Sequence, residues 1–253
     1  MSSYRGIFPG TFTMGNVVCG FLSILSAYEG NVITACWLLI LAVLLDMLDG
    51  KVARISGGAT QFGVELDSLA DFLSFGAAPA LVVYASHLNS LGRWGWIISV
   101  VYIMAAAYRL ARFNLMAETE EKKDFLGLPV PAAALALVSY IIMSHHLWDE
   151  LRYEQLLVSM IVLFAALMVS QVQYDTLPEK LDTPSARLKV GVAAIAAVVV
   201  LFAPRLLLFP MVALYILFGM LREFVRVFHK GVGRVTNRSE RGRTDNRNEI
   251  DGE

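Results

Sequence analysis

Long apolar blocks, separated by short polar stretches, run through most of this chain. The first covers residues 12–27 and ends at the turn-forming Glu29-Gly30-Asn31. A second follows over 32–54. Ser56-Gly57-Gly58-Ala59-Thr60 reads as a loop, and a third block fills 62–84. A fourth occupies 94–114 and gives way to the charged stretch 117–125. Leu128-Pro129-Val130-Pro131 opens a fifth, with prolines where a first helical turn tolerates them, and this block ends near His145-His146. Further blocks lie at 156–172, 188–202 and 206–226. Each is close to the ~20 residues that a helix needs to cross a bilayer. The pattern predicts an all-α, polytopic bundle of about eight transmembrane helices over residues 1–230, followed by a polar, disordered tail at 231–253.

Composition agrees with the pattern. Hydrophobic residues make up 57% of the 253, too many for an ordinary soluble domain. The net charge of -1 provides no global field for nucleic acid, and no such partner is expected. Cys19 and Cys36 both fall inside apolar blocks and read as packing residues. The polar stretch before the first block is weakly basic, and no small-residue cleavage site follows that block. It therefore reads as a span rather than a signal peptide.

Charge then orients the bundle. With eight spans, only Arg93, Arg152 and Arg205 of the 21 basic residues fall on one side. The side with the basic excess is expected to be cytoplasmic, and with it both termini.

Four aspartates interrupt the second and third blocks. Asp46 and Asp49 stand three apart near the end of one helix; Asp67 and Asp71 stand four apart near the start of the next. Each pair lies on one helix face, and the intervening loop is short enough for the two faces to meet. A single such Asp is usually a cap or a solvated residue. Four together at a membrane edge repel one another unless cations neutralise them. Oxygen-only ligands favour a hard divalent ion, Mg²⁺ or Mn²⁺. Gly50 and Ala53 keep the helix slim beside the carboxylates, so a phosphate group could approach the backbone.

The stretch from Asp46 to Asp71 resembles the signature of the CDP-alcohol phosphatidyltransferases, D-x2-D-G-x2-A-R-x8-G-x3-D-x3-D. It matches at Asp46, Asp49, Gly50, Ala53, Arg54, Gly63, Asp67 and Asp71. The resemblance implies an integral membrane enzyme, acting as a homodimer, in which an alcohol displaces CMP from a CDP-linked lipid. By the same resemblance the four aspartates bind metal and Asp71 also takes the proton of the attacking hydroxyl. Gly50, Ala53, Arg54, Thr60 and Gly63 line the CDP-lipid site. The residues alone do not say which Asp is the base. Arg54 has the fixed charge and fork geometry that suit a diphosphate.

Further stretches resemble the branch whose acceptor is L-serine and whose donor is CDP-diacylglycerol. They are Thr13-Met-Gly-Asn16 with Cys19-Gly20-Phe21, Leu66 to Asp71, Ser74 to Pro79, Tyr108 to Asn114, and Gly127 to Pro131. Arg109 and Arg112, three apart at the end of the fourth block, fit that branch, because serine brings a carboxylate that a guanidinium can hold. They are expected to bind the acceptor or phosphate, although basic residues at a helix end also serve topology and snorkelling. Another acceptor, such as inositol or glycerol phosphate, or an ether-lipid donor would satisfy the same signature. A catalytically inactive lipid-binding relative would lack a signature Asp. An ion-coupled transporter would place its carboxylates near the midplane on broken helices rather than at the ends of intact ones. Asn114 reads as a helix C-cap. His145 and His146, with Asp149, fall at the end away from the aspartates, where interfacial residues are the ordinary reading.

Overall fold

The computed structural model describes residues 7–56, 61–118, 127–172, 202–223 and 225–226. Among these every element is helical. The helices are α1 (Ile7–Tyr28), α2 (Val32–Ser56), α3 (Gln61–Asp71), α4 (Ala78–Ser86), α5 (Arg93–Glu118), α6 (Val130–Trp148) and α7 (Glu154–Val169). A further helix, α8 (Pro204–Glu223), is the last among the described residues. The chain divides into two units, Met1–Ala213 and Leu214–Glu253, and α8 crosses that boundary; the packing below belongs to the first unit. Among the described residues six segments are long and apolar enough to cross a membrane, and α7 is a shorter apolar helix. The helix expected at 188–202 and the tail expected at 231–253 lie outside the described residues, apart from Phe202.

The surface confirms what the hydrophobic blocks imply. Met14, Val18, Phe21, Leu22 and Leu25 are all exposed on α1. Water would not tolerate such a stripe across successive helices, whereas lipid requires it. The opposite face of α1 carries Thr13, Asn16, Gly20 and Ser23, spaced by three and four residues, and these turn inward. Gly30 closes α1. It adopts a φ of 84°, its N–H donates to the Ala27 carbonyl at 3.1 Å, and the Asn31 N–H donates to Ser26 at 2.8 Å. This two-bond cap turns the chain directly into α2.

The block at 62–84 is not one uniform α-helix. Between α3 and α4, residues Phe72–Ala77 form a π-helical segment. Pro79 supplies the cause: it has no N–H to offer the Phe75 carbonyl four residues earlier. The Ala78 N–H reaches five residues back, to Leu73, and the Tyr102 hydroxyl donates to the Phe75 carbonyl at 3.3 Å. The wider turn thus recovers its hydrogen bonds partly from α5.

Asn114 does not cap α5, which runs on to Glu118. Its amide faces Ser68 on α3, where the two side chains exchange hydrogen bonds of 2.9 and 3.1 Å. That bond pins α5 against the helix that carries Asp67 and Asp71.

The helices alternate in direction, so one end of the bundle collects the start of α1, the end of α2, the start of α3 and the ends of α5 and α7. The opposite end collects the α1–α2 turn, the end of α4 and the turn between α6 and α7.

Candidate metal and substrate site

Asp46 projects from the last turns of α2, and Asp67 and Asp71 from α3. One carboxylate oxygen from each of these three lies within 4.8 Å of the others. This is the only grouping of its kind among the described residues. All three side chains are partly buried. Three hard oxygen donors at such spacing fit a divalent cation that keeps some of its waters.

Asp49 stands slightly apart. It is 6% exposed, and the Thr13 hydroxyl donates to its Oδ2. Its Oδ1 has no hydrogen-bond partner. Its charge still acts on Asp46 and Asp67, so it borders the cluster.

The first helix supplies residues that the acidic signature does not contain. Asn16 is fully buried, and its Nδ2 donates to Asp71 Oδ1 at 3.4 Å. Thr13 and Asn16 sit three apart on the buried face of α1. The available signal was a polar pair at helical spacing inside an otherwise apolar span. A close approach holds them in place. A Cβ on Gly20 would fall 2.2 Å from the Ser74 hydroxyl and 2.9 Å from the Ser74 Cα, so only glycine fits. Ser74 in turn donates to the Asn16 carbonyl at 3.0 Å.

The two arginines of α5 go separate ways. Arg109 is buried, its guanidinium lies 5.3 Å from the Phe113 ring centroid, and its charge acts on Asp71. Arg112 instead reaches the C-terminus of α7, donating to the carbonyls of Val169 at 3.3 Å and Ser170 at 3.1 Å. A cation there meets the negative end of the helix dipole. The same helix end accepts the N–H of Gly127 at Val172 (2.8 Å) and that of Leu128 at Leu167 (3.1 Å). Arg112 thus fastens α7 and the entry to α6 onto α5.

Gly50 lies on α2, and a Cβ added there would meet nothing within 4 Å. Gly63 lies in the first turn of α3. Ala53 and Arg54 belong to the last turns of α2, but their side chains, like Thr60 as a whole, lie outside the described residues. His145 and Asp149 line a cavity of about 500 Å³ at the end away from the aspartates, together with Gly30–Thr34, Ala85 and Ser86.

Fold and site together define a polytopic helical membrane protein with a carboxylate cluster at one end of its bundle. The chain belongs to the CDP-alcohol phosphatidyltransferase family, whose model matches residues 7–172. A CDP-diacylglycerol–serine O-phosphatidyltransferase of Helicobacter pylori is 39% identical over 169 residues, 66% of this chain and 71% of the relative. An archaetidylserine synthase of Methanothermobacter thermautotrophicus is 35% identical over 168 residues, 66% of this chain and 68% of its own. A CDP-diacylglycerol–serine O-phosphatidyltransferase of Mycobacterium bovis is 29% identical over a longer span of 222 residues, 83% and 75% of the two chains.

Proposed function

We propose that this chain is a CDP-diacylglycerol–serine O-phosphatidyltransferase. It transfers the phosphatidyl group from CDP-diacylglycerol to the hydroxyl of L-serine, giving phosphatidylserine and CMP. The observation that carries this reading is the convergence of Asp46, Asp67 and Asp71 from two helices, in a chain whose relatives are named for serine as acceptor or for a serine lipid as product.

The serine oxygen approaches phosphorus as CMP departs roughly in line, so the site must hold the diphosphate and orient a hydroxyl. Asp46, Asp49, Asp67 and Asp71 would hold Mg²⁺ or Mn²⁺, which neutralises charge on the diphosphate and on the leaving oxygen when bound. Asp71 accepts the proton of the serine hydroxyl, which is a poor nucleophile until a base is positioned beside it. Its neighbours Asn16 and Arg109 orient that carboxylate. The open space over Gly50 leaves the α2 backbone accessible to a phosphate. Gly50, Ala53, Arg54, Thr60 and Gly63 form the CDP-lipid site in this reading. Arg109 is the residue of the α5 pair that takes the serine carboxylate, since Arg112 already serves the end of α7.

The basic excess at the aspartate end supports a cytoplasmic active site in the cell membrane. The lipid tails would lie among the exposed apolar side chains, and the family resemblance supports a homodimer. The test is CMP release by purified protein given CDP-diacylglycerol, Mg²⁺ or Mn²⁺ and a panel of alcohols. Serine should be strongly preferred, and equal or better turnover with inositol or glycerol phosphate would overturn the assignment.

A further inference from the structure

Asn16 is fully buried, yet only half of its amide is in use. Nδ2 donates to Asp71, while Oδ1 has no hydrogen-bond partner. A buried amide oxygen left in this state is costly, and native structures tend to keep one only where a ligand or water completes it. The position is firmly held. Ser74 grips the Asn16 carbonyl, and the Gly20–Ser74 contact fixes α1 against the π-helical segment. The amide therefore presents a rigid acceptor beside Asp71, a carboxylate that also feels the charge of Arg109.

Given the acceptor proposed above, its own groups decide which of them suits this amide oxygen. Serine carries a hydroxyl, a carboxylate and an ammonium. The hydroxyl belongs to Asp71 and the carboxylate suits a guanidinium. The ammonium has three N–H donors and no acceptor. A further carboxylate would bind it but would add to the repulsion among the aspartates. An amide accepts from the ammonium and donates to Asp71 at the same time, which no carboxylate does.

We propose that Asn16 recognises the acceptor's ammonium group through Oδ1 while Nδ2 holds Asp71 toward the hydroxyl. This assignment rests on the serine reading and adds to it a residue that selects an amino alcohol over a plain one.

The experiment compares L-serine with 3-hydroxypropanoate, which lacks only the ammonium, as acceptors for the full-length protein with CDP-diacylglycerol and Mn²⁺. Parent protein that releases no CMP with serine would refute the serine reading itself. If it does turn over serine, the Asn16 variants test the present proposal. Asn16→Ala removes both halves of the amide, so turnover of both acceptors slows. Serine should lose about a further 10–100-fold in kcat/KM, the worth of one hydrogen bond to a charged group. That excess should lie mainly in KM, and KM for the CDP-lipid should stay near the parent value. Asn16→Ser, which restores an acceptor oxygen, should recover part of the preference. Equal losses for the two acceptors would overturn the proposal, as would a rise in the CDP-lipid KM matching that for serine. Donor binding in the presence of metal serves as the fold check. If neither variant binds CDP-diacylglycerol, Asn16 is a structural or donor-site residue and the proposal fails.

Discussion

The two ends of the bundle treat buried polar groups in opposite ways. Away from the aspartates they close on one another. The Tyr140 hydroxyl donates to the Arg152 carbonyl at 2.6 Å. Ser144 donates to the Glu150 carbonyl at 2.9 Å and accepts from the Arg152 N–H at 2.7 Å. His87 meets Glu154 at 3.1 Å. Trp148 and Tyr153 pack edge to face, with the Arg152 guanidinium near both rings, an arrangement suited to a membrane interface. At the aspartate end, three carboxylates crowd together, and Asn16 Oδ1 and Asp49 Oδ1 are buried without a partner. One end has spent its hydrogen-bonding capacity on the fold. The other leaves capacity unused, at a cost in stability, and in the reading proposed above that capacity serves groups that arrive with the substrate.

Removing the cation should test that contrast most severely. With excess EDTA, CMP release should fall to background, and added Mg²⁺ or Mn²⁺ should restore it. Retained activity in chelator would mean that the carboxylates work without a metal, and the unused capacity would need another explanation.

Asp71→Asn comes next in size. It keeps the shape and one oxygen but removes the proposed base, which is typically worth about 10²–10⁴-fold in rate. Donor binding separates the roles. Asp71→Asn should still bind CDP-diacylglycerol with metal present, while Asp46→Asn should bind it more weakly. Equal loss in both would make Asp71 chiefly a metal ligand.

The α5 arginines sharpen the comparison within a single helix. Arg109→Lys keeps the charge and loses the fork, so KM for serine should rise about 10-fold while that for the CDP-lipid stays near its parent value. Arg112→Lys should instead loosen the α5–α7 contact, lowering the apparent melting temperature with little change in KM for serine. An exchange of these outcomes would reassign the two residues.

Much of this was legible in the sequence because its causes are local. Apolar runs mark helices, and carboxylates three and four apart mark a face, so Asp46, Asp49, Asp67 and Asp71 were expected together; three of them converge, while Asp49 is turned to Thr13. What escaped depends on partners distant in the chain. The three-residue spacing of Arg109 and Arg112 fixes where their Cα atoms lie but not where two long side chains end. Asn114 looked like a cap because its partner, Ser68, lies 46 residues away. The π-helical turn was encoded by Pro79, yet its repair depends on Tyr102 from another helix. Thr13 and Asn16 stand out in the sequence as part of a matching stretch, but only their contacts with Asp49 and Asp71 show what they do there.

The smallest expected effect probes the far end. Ser144 is fully buried and joins α6 to the turn before α7 through its two hydrogen bonds. Ser144→Ala leaves the Glu150 carbonyl and the Arg152 N–H to find other partners. The loss should be about 1–3 kcal/mol of stability. In a chain of this size that lowers the melting temperature by only about 2–4 °C per kcal/mol. Because these bonds serve packing alone, kcat/KM for serine at a permissive temperature should match the parent. The informative failure is the reverse pattern. If Ser144→Ala keeps its melting temperature but loses turnover, hydrogen bonds at the far end govern the carboxylate cluster, and the two ends do not divide stability from chemistry in the way their bonding suggests.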